Sequence, residues 1–160
     1  MKSEILFKLE TSYRGRYGNV YGYRQTIGAY FDNPAEWPYI AKKERTERDR
    51  SYRDVVTECD SFKLPKDIYL KIKAVIADAK IDLISCEERI ENDTMDGGIE
   101  CFTFAVDGFE KRISGDEILS SGSYEAEKYS ESERTDSYVV YNVVEKIKAL
   151  LAKANIDLQL

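Results

Sequence analysis

Residues 13–30 combine tyrosine, arginine and glycine in a pattern that suits a binding surface. Tyrosine rings stack on nucleobases and arginine pairs with phosphate, which is the composition of a platform for single-stranded nucleic acid. Tyrosine is also a good strand former and a favoured residue of protein interfaces. The stretch therefore fits an ordinary strand, a protein interface or a nucleic-acid surface. Its candidate binding residues are Tyr17, Tyr21, Tyr23 and Arg24.

The second candidate is an acidic stretch at residues 86–98. Its carboxylates are Glu87, Glu88, Glu91, Asp93 and Asp96. A calcium-binding loop read from Asn92 needs a bidentate glutamate at its twelfth position, where the sequence has Thr103. We therefore interpret the stretch either as a solvated turn or as a negative surface that attracts a basic protein partner.

The absence of histidine restricts the chemistry that this chain can perform. It removes the Ser-His-Asp and Cys-His nucleophiles, and nearly all zinc, copper and non-haem iron sites. The sequence also lacks the glycine-rich nucleotide-binding motifs and the nucleophile elbow of hydrolases. Chemistry that needs carboxylates alone, such as glycoside hydrolysis or Mg²⁺-dependent phosphoryl transfer, stays open as a third alternative. Because no catalytic motif is present, we expect no enzymatic activity, no cofactor and no bound metal.

The charge and the cysteine content point to a cytoplasmic chain. The 24 basic and 30 acidic residues give a net charge of −6, which disfavours nucleic acid and anionic lipid as partners. The sequence contains no apolar run long enough to span a bilayer, and its first residues do not resemble a signal peptide. The three cysteines are odd in number and match no metal-binding spacing. We expect no membrane partner.

The clearest structural element is a β-hairpin at Asp107-Gly108. Alternating apolar residues flank this dipeptide at 98–106 and 109–114, and Asp-Gly between such runs is a strong hairpin signal. A two-residue turn pairs Val106 with Phe109 and Phe102 with Ile113 on the core face.

Two amphipathic helices are predicted, one beginning after Pro65 and one spanning about 139–154. Their apolar stripes correspond at a constant offset of 75: Ile68, Ile72, Val75, Ile76 and Ala79 match Val143, Ile147, Leu150, Leu151 and Ala154. Segments 71–83 and 146–158 share nine of thirteen residues. This similarity predicts an internal duplication of a strands-then-helix unit, with halves of about 1–80 and 81–160.

The rest of the chain is assigned by its residue pattern. Strands are predicted at 4–12, at a segment ending with Phe31, at 54–64 and at 81–91. Residues 42–53 are predicted to form a solvated loop or short exposed helix, because their charges show no apolar period. Residues 115–137 are predicted to form a mobile loop, with or without a short helix. Residues 156–160 are predicted to form a short strand or a tail along an edge.

Together these observations predict a single compact α+β domain over residues 1–160, with antiparallel sheet and two amphipathic helices. The function they favour is that of a non-catalytic protein-binding module, of the kind represented by immunity and inhibitor proteins that mask a basic partner. The alternative is an accessory protein that binds single-stranded nucleic acid through the tyrosine- and arginine-rich strand.

Overall fold

The computed structural model describes residues 3–14, 18–84, 89–90 and 99–160, and these form an α+β fold. Six antiparallel strands and one two-residue parallel strand make a single sheet in the order β4-β3-β2-β1-β6-β7-β5. The strands are β1 Glu4–Arg14, β2 Val20–Ala29, β3 Tyr39–Arg48, β4 Asp54–Lys63, β5 Arg89–Ile90, β6 Ile99–Val106 and β7 Phe109–Asp116. The helices in the described ranges are α1 Lys66–Asp78, α2 Ile118–Lys128 and α3 Asp136–Lys153.

The hairpin of β6 and β7 forms with the predicted register. Val106 pairs with Phe109 and Phe102 pairs with Ile113. Asp107 and Gly108 both have positive φ angles, 46° and 85°, as a type I′ turn requires. This register confirms the predicted hairpin. The hairpin could be predicted because its turn and both of its strands lie within one short stretch of sequence.

The core lies between the helices and one face of the sheet. We call that face of the sheet the helix-side face. Phe7 of β1 contacts Phe102 and Phe104 of β6, with ring centroids 6.5 and 5.6 Å apart. Helix α1 packs on β1, β6 and α3. The stripe predicted for α1 is largely buried, through Ile68, Ile72 and Ile76.

Helix α1 is fixed to the sheet by a polar contact as well as by its apolar stripe. The hydroxyl of buried Tyr69 donates to Glu4 Oε2 at 3.0 Å, and Lys73 Nζ lies 3.0 Å from Glu4 Oε1. Lys73 also pairs with Asp107 in the hairpin turn at 3.1 Å. These contacts join β1, α1 and the β6–β7 turn.

The segment at 42–53 is a strand and a turn, so its prediction as a loop or short helix is wrong. β3 extends through Arg48, and its charged side chains pair across the sheet. Arg24 contacts Glu44 at 3.2 Å, and Arg48 contacts Asp54 at 3.4 Å. A strand in an antiparallel sheet with one polar face needs few apolar residues when its charges have cross-strand partners.

The predicted strand at 81–91 is mostly wrong in the part that the structure describes. Lys80–Leu83 is a turn of 3-10 helix, and strand structure within this segment occurs at Arg89–Ile90. The apolar residues Ile81 and Ile84 are buried in the core without a strand ladder. Residues 85–88 and 91–98, which include most of the acidic stretch at 86–98, lie outside the described residues.

The segment at 115–137 contains the eleven-residue helix α2, so its prediction as a mobile loop is also wrong. Helix α2 packs along α3, with Gly122 buried between them. The carboxylate of buried Glu125 accepts a hydrogen bond from the Thr135 hydroxyl at 2.6 Å, just before α3 begins. These tertiary contacts hold a polar, serine-rich sequence in a helix.

The internal duplication is not confirmed. Four long strands precede α1, whereas β5, a hairpin and the additional helix α2 precede α3. The last residues of the two similar segments form a 3-10 turn at Lys80–Leu83 in the first case and an irregular tail at 156–158 in the second. Ile156 and Leu158 in this tail are buried, and Gln25 Nε2 of β2 donates to the Gln159 carbonyl at 3.5 Å. The tail therefore lies against β2.

Candidate functional site

Three tyrosines of β1 and β2 lie together on the helix-side face, at the end where the strands reach beyond the core. Tyr13 pairs directly with Tyr21, and Tyr23 pairs with Thr11 in the same ladder. Alternate residues of a strand point to one face, so all three rings share the face that also carries Phe7 and Leu9.

The three rings are packed against one another. Tyr13 and Tyr21 are stacked at 5.4 Å with an interplanar angle of 23°. Tyr23 meets both rings edge-on, at 6.4 Å from Tyr13 and 6.3 Å from Tyr21. Tyr13 and Tyr23 are each 37% exposed, so the packed rings form a solvent-facing surface.

Arg45 of β3 joins the rings from the neighbouring strand. It pairs with Tyr23 in the ladder, and its guanidinium carbon lies 5.2 Å from the Tyr21 ring centre and 5.7 Å from that of Tyr23. Its Nη1 donates to the Tyr23 hydroxyl at 3.1 Å, and its Nη2 lies 3.4 Å from Glu47. We call Tyr13, Tyr21, Tyr23 and Arg45 the tyrosine cluster.

Carboxylates border the tyrosine cluster on the β4 side. Glu58 pairs with Arg45 in the ladder, and Asp60 lies 3.9 Å from Lys43. The side chains on this part of the helix-side face therefore include three carboxylates, Glu47, Glu58 and Asp60, against the two cations Lys43 and Arg45. A hollow of about 250 Å³ lies among Tyr23, Gln25, Glu58, Asp60 and Gln159. The surface is aromatic with a negative border.

Of the candidate residues from the sequence, Tyr21 and Tyr23 are brought together, but Arg24 lies on the opposite face of the sheet. There its guanidinium makes two hydrogen bonds to Glu44, at 3.2 and 3.3 Å, and these raise the pKa of Arg24. Adjacent residues of a strand point in opposite directions, so Arg24 is separated from its tyrosine neighbours.

The remaining candidates from the sequence lie outside the described residues. They are Tyr17, Glu87, Glu88, Glu91, Asp93 and Asp96. Arg45 was not predicted, because its segment was assigned to a loop. The sequence signal that was available is the charge pattern on the two sides of residues 49–53. Three cations before this segment pair in the sheet with three carboxylates after it: Arg48 with Asp54, Arg45 with Glu58 and Lys43 with Asp60. Such complementary positions are typical of a hairpin.

The opposite face of the sheet has a hollow of about 240 Å³ over Gly22. A side chain at Gly22 would collide with the Thr11 carbonyl oxygen, so the glycine lets β1 and β2 approach and leaves the hollow open. Arg48 at its border is paired with Asp54, and Arg112 lies 3.8 Å from the Cys101 sulfur. Since its arginines already have partners, this hollow is a weaker candidate than the tyrosine cluster.

The described residues include no group of three or more cysteine, aspartate or glutamate side chains placed to hold a metal ion. Within the same ranges, no helix is long and apolar enough to cross a membrane. Compared with known proteins, the chain matches no protein-family model and no curated protein sequence.

Proposed function

We propose that this chain is a non-catalytic module that binds a protein partner through the tyrosine cluster, and that the contacting surface of the partner is basic. The observation that carries the proposal is the set of three mutually packed, partly exposed tyrosine rings with a carboxylate border. An inhibitor or immunity-type protein that masks a basic partner would use such a surface.

The packing of the rings supports a role in binding because it lowers the entropic cost of association. Tyrosine has few rotatable bonds, and each ring here is already held by the other two. Arg45 also contacts the rings of Tyr21 and Tyr23. Ordering an interface side chain costs about 0.5–1.5 kcal/mol, and a preordered ring avoids much of that cost. Tyrosine also presents apolar area together with a hydroxyl that hydrogen-bonds the partner.

The charges around the tyrosine cluster favour a basic protein over a nucleic acid. Arg45 is the cation nearest to the rings, and it is already engaged by Glu47 and by the Tyr23 hydroxyl. Glu58 borders the cluster and has no ion pair within the described residues, so it would repel phosphates and attract lysine and arginine. Single-stranded nucleic acid is therefore the less favoured partner, and the nuclease treatment below distinguishes it from a protein.

The test is affinity capture from native lysate at low salt, with and without nuclease, comparing the wild-type chain with two matched variants. Tyr21→Ser/Tyr23→Ser removes two rings of the tyrosine cluster. Tyr124→Ser/Tyr129→Ser removes two exposed rings on and just after α2, which also contact each other edge-on at 5.7 Å. The second variant controls for the general loss of surface tyrosine.

We expect the wild-type chain to capture one basic protein both with and without nuclease. The Tyr124→Ser/Tyr129→Ser variant should still capture it, and the Tyr21→Ser/Tyr23→Ser variant should not. The affinity of the captured protein for the purified chain should fall as salt is raised, because the border carboxylates steer a cationic surface. Equal retention by both variants would refute the assignment of the surface. Capture that disappears with nuclease would replace the proposal with nucleic-acid binding.

A further inference from the structure

Strand β4 is a long sheet edge with little cover. It is the terminal strand of the sheet, ten residues long, and nine of these residues are exposed. In the described part of the chain, β3 is the one element that packs extensively along it. Val55 and Val56 are 46% and 42% exposed and point to opposite faces, so both faces of this edge offer an apolar contact.

The backbone of β4 has hydrogen-bonding groups available along its outer side. Leu64, just after the strand, donates its N–H to the Tyr39 carbonyl at 2.8 Å. The direction of the N–H alternates along an antiparallel strand, so the N–H groups of Phe62 and Asp60 point toward β3. Those of Ser61 and Cys59 point away from the sheet, where another strand would receive them.

The edge has few of the features that normally prevent strand addition. Natural edges are usually short, or carry proline or inward-pointing charges, or are covered by another element. β4 has no proline and is about twice as long as an average strand. It does have a register shift opposite Arg45 and Thr46, and it carries charged side chains.

Those charges select the kind of strand that fits. β4 carries Asp54, Glu58 and Asp60 against a single cation, Lys63. Asp54 and Asp60 have ion-pair partners on β3, and Glu58 has no ion pair within the described residues. With three carboxylates against one lysine, two copies of β4 repel each other overall, whereas a strand with lysine or arginine complements these charges.

We propose that the partner docks by adding an extended, lysine- or arginine-bearing segment as a further strand beside β4, with a basic side chain against Glu58. This inference rests on the proposed function and adds the binding mode to it. In the sheet, Glu58 of β4 pairs with Arg45 of β3, and Arg45 pairs with Tyr23 of β2. With strands about 4.8 Å apart, the added strand lies about 14 Å from β2, so one partner surface covers both the edge and the tyrosine cluster.

The first experiment uses synthetic ten-residue peptides as probes. One peptide alternates lysine with valine and threonine and carries a fluorescent label. A second has the same sequence and charge but is N-methylated at every other backbone nitrogen, which removes the donors needed for strand pairing. We expect the methylated peptide to bind the wild-type chain at least about tenfold more weakly, since each lost hydrogen bond is worth about 1 kcal/mol.

The second experiment uses variants of β4 in the full chain. Ser61→Pro removes an outward N–H and leaves the ladder to β3 intact, whereas Ser61→Ala keeps that N–H. We expect Ser61→Pro to bind the peptide more weakly than the wild type, and Ser61→Ala to bind it as well as the wild type. Circular dichroism should confirm that both variants are folded. Glu58→Lys should also weaken binding of the unmethylated lysine peptide, because it places like charges opposite each other.

The exposed thiol of Cys59 supplies a direct footprint. Bound peptide should slow alkylation of Cys59 more than that of Cys101, which lies on β6 in the interior of the sheet. Equal binding of the two peptides, an unprotected Cys59, or no binding below about 1 mM overturns strand addition. The proposed function fails separately, if the captured partner binds the Tyr21→Ser/Tyr23→Ser variant as well as it binds the wild type.

Discussion

Replacing Gly122 by alanine tests the contact that turns a serine-rich segment into helix α2. Gly122 is buried against α3, and an added Cβ would lie 2.5 Å from the Ser137 carbonyl oxygen and closer still to Tyr141 Cβ. Neither atom is the end of a flexible side chain, so α2 and α3 would have to separate. Overpacking of this kind costs about 1–3 kcal/mol.

A second effect of the same substitution has the opposite sign. Alanine is favoured over glycine inside a helix by about 1 kcal/mol. The collision involves backbone and Cβ atoms of α3, which cannot rotate away, so we expect the steric effect to exceed the propensity gain. The net destabilisation should be up to about 2 kcal/mol, which for a chain of this length lowers Tm by up to about 8 °C.

The assay is urea-induced unfolding followed by circular dichroism. Gly122→Ala should lower the midpoint without changing the slope, because the same surface is exposed on unfolding. Ser120→Ala, at an exposed position of the same helix, is the control and should be neutral or slightly stabilising. If Gly122→Ala is as stable as the wild type or more so, α2 does not pack on α3 at this residue and the explanation for the helix is refuted.

Two further substitutions test buried polar contacts. Burial raises the pKa of Glu100, whose carboxylate accepts a hydrogen bond from the Leu119 N–H. A carboxyl with a raised folded-state pKa favours folding at low pH and loses that contribution as the pH rises through the folded pKa. Glu100→Gln should therefore increase the free energy of unfolding at pH 7, and the gain should shrink as the pH is lowered to 4. An equal gain at both pH values in urea titrations would contradict this assignment. Tyr69→Phe removes the hydroxyl that donates to Glu4 and should cost about 1–2 kcal/mol by the same assay, while Lys73 keeps its pairing with Glu4. No loss of stability would mean that this hydrogen bond contributes nothing to the docking of α1.

The elements predicted correctly from the sequence are those whose signal is local. The β6–β7 hairpin depends on Asp107 and Gly108, and α1 on Pro65 and an apolar stripe that follows it. β3 was missed because its support lies outside the segment itself. Glu44 pairs with Arg24, twenty residues earlier, and the mirrored charges of the β3–β4 hairpin become visible only when residues 42–48 are compared with the strand that follows. Helix α2 was missed for the same reason, since Gly122 and Glu125 are explained by contacts with Ser137 and Thr135.

The candidate site was predicted in part. Tyr21 and Tyr23 were found from their residue type and their spacing of two, which places them on one face of a strand. The same rule separates Arg24 from them, because an odd spacing reverses the direction of the side chain. The charge pattern about residues 49–53 could have placed Arg45 in a hairpin, but its position beside Tyr23 depends on β3 lying next to β2.

Trp37 gives this fold a built-in optical reporter at a useful place. It is the single tryptophan of a chain with twelve tyrosines. Its indole Nε1 donates to the Leu64 carbonyl at 2.8 Å, and its ring contacts Tyr39, which in turn contacts Tyr69 of α1. These contacts lie where α1 begins, so displacement of α1 from the sheet should change the emission of Trp37, and no label is needed to follow it.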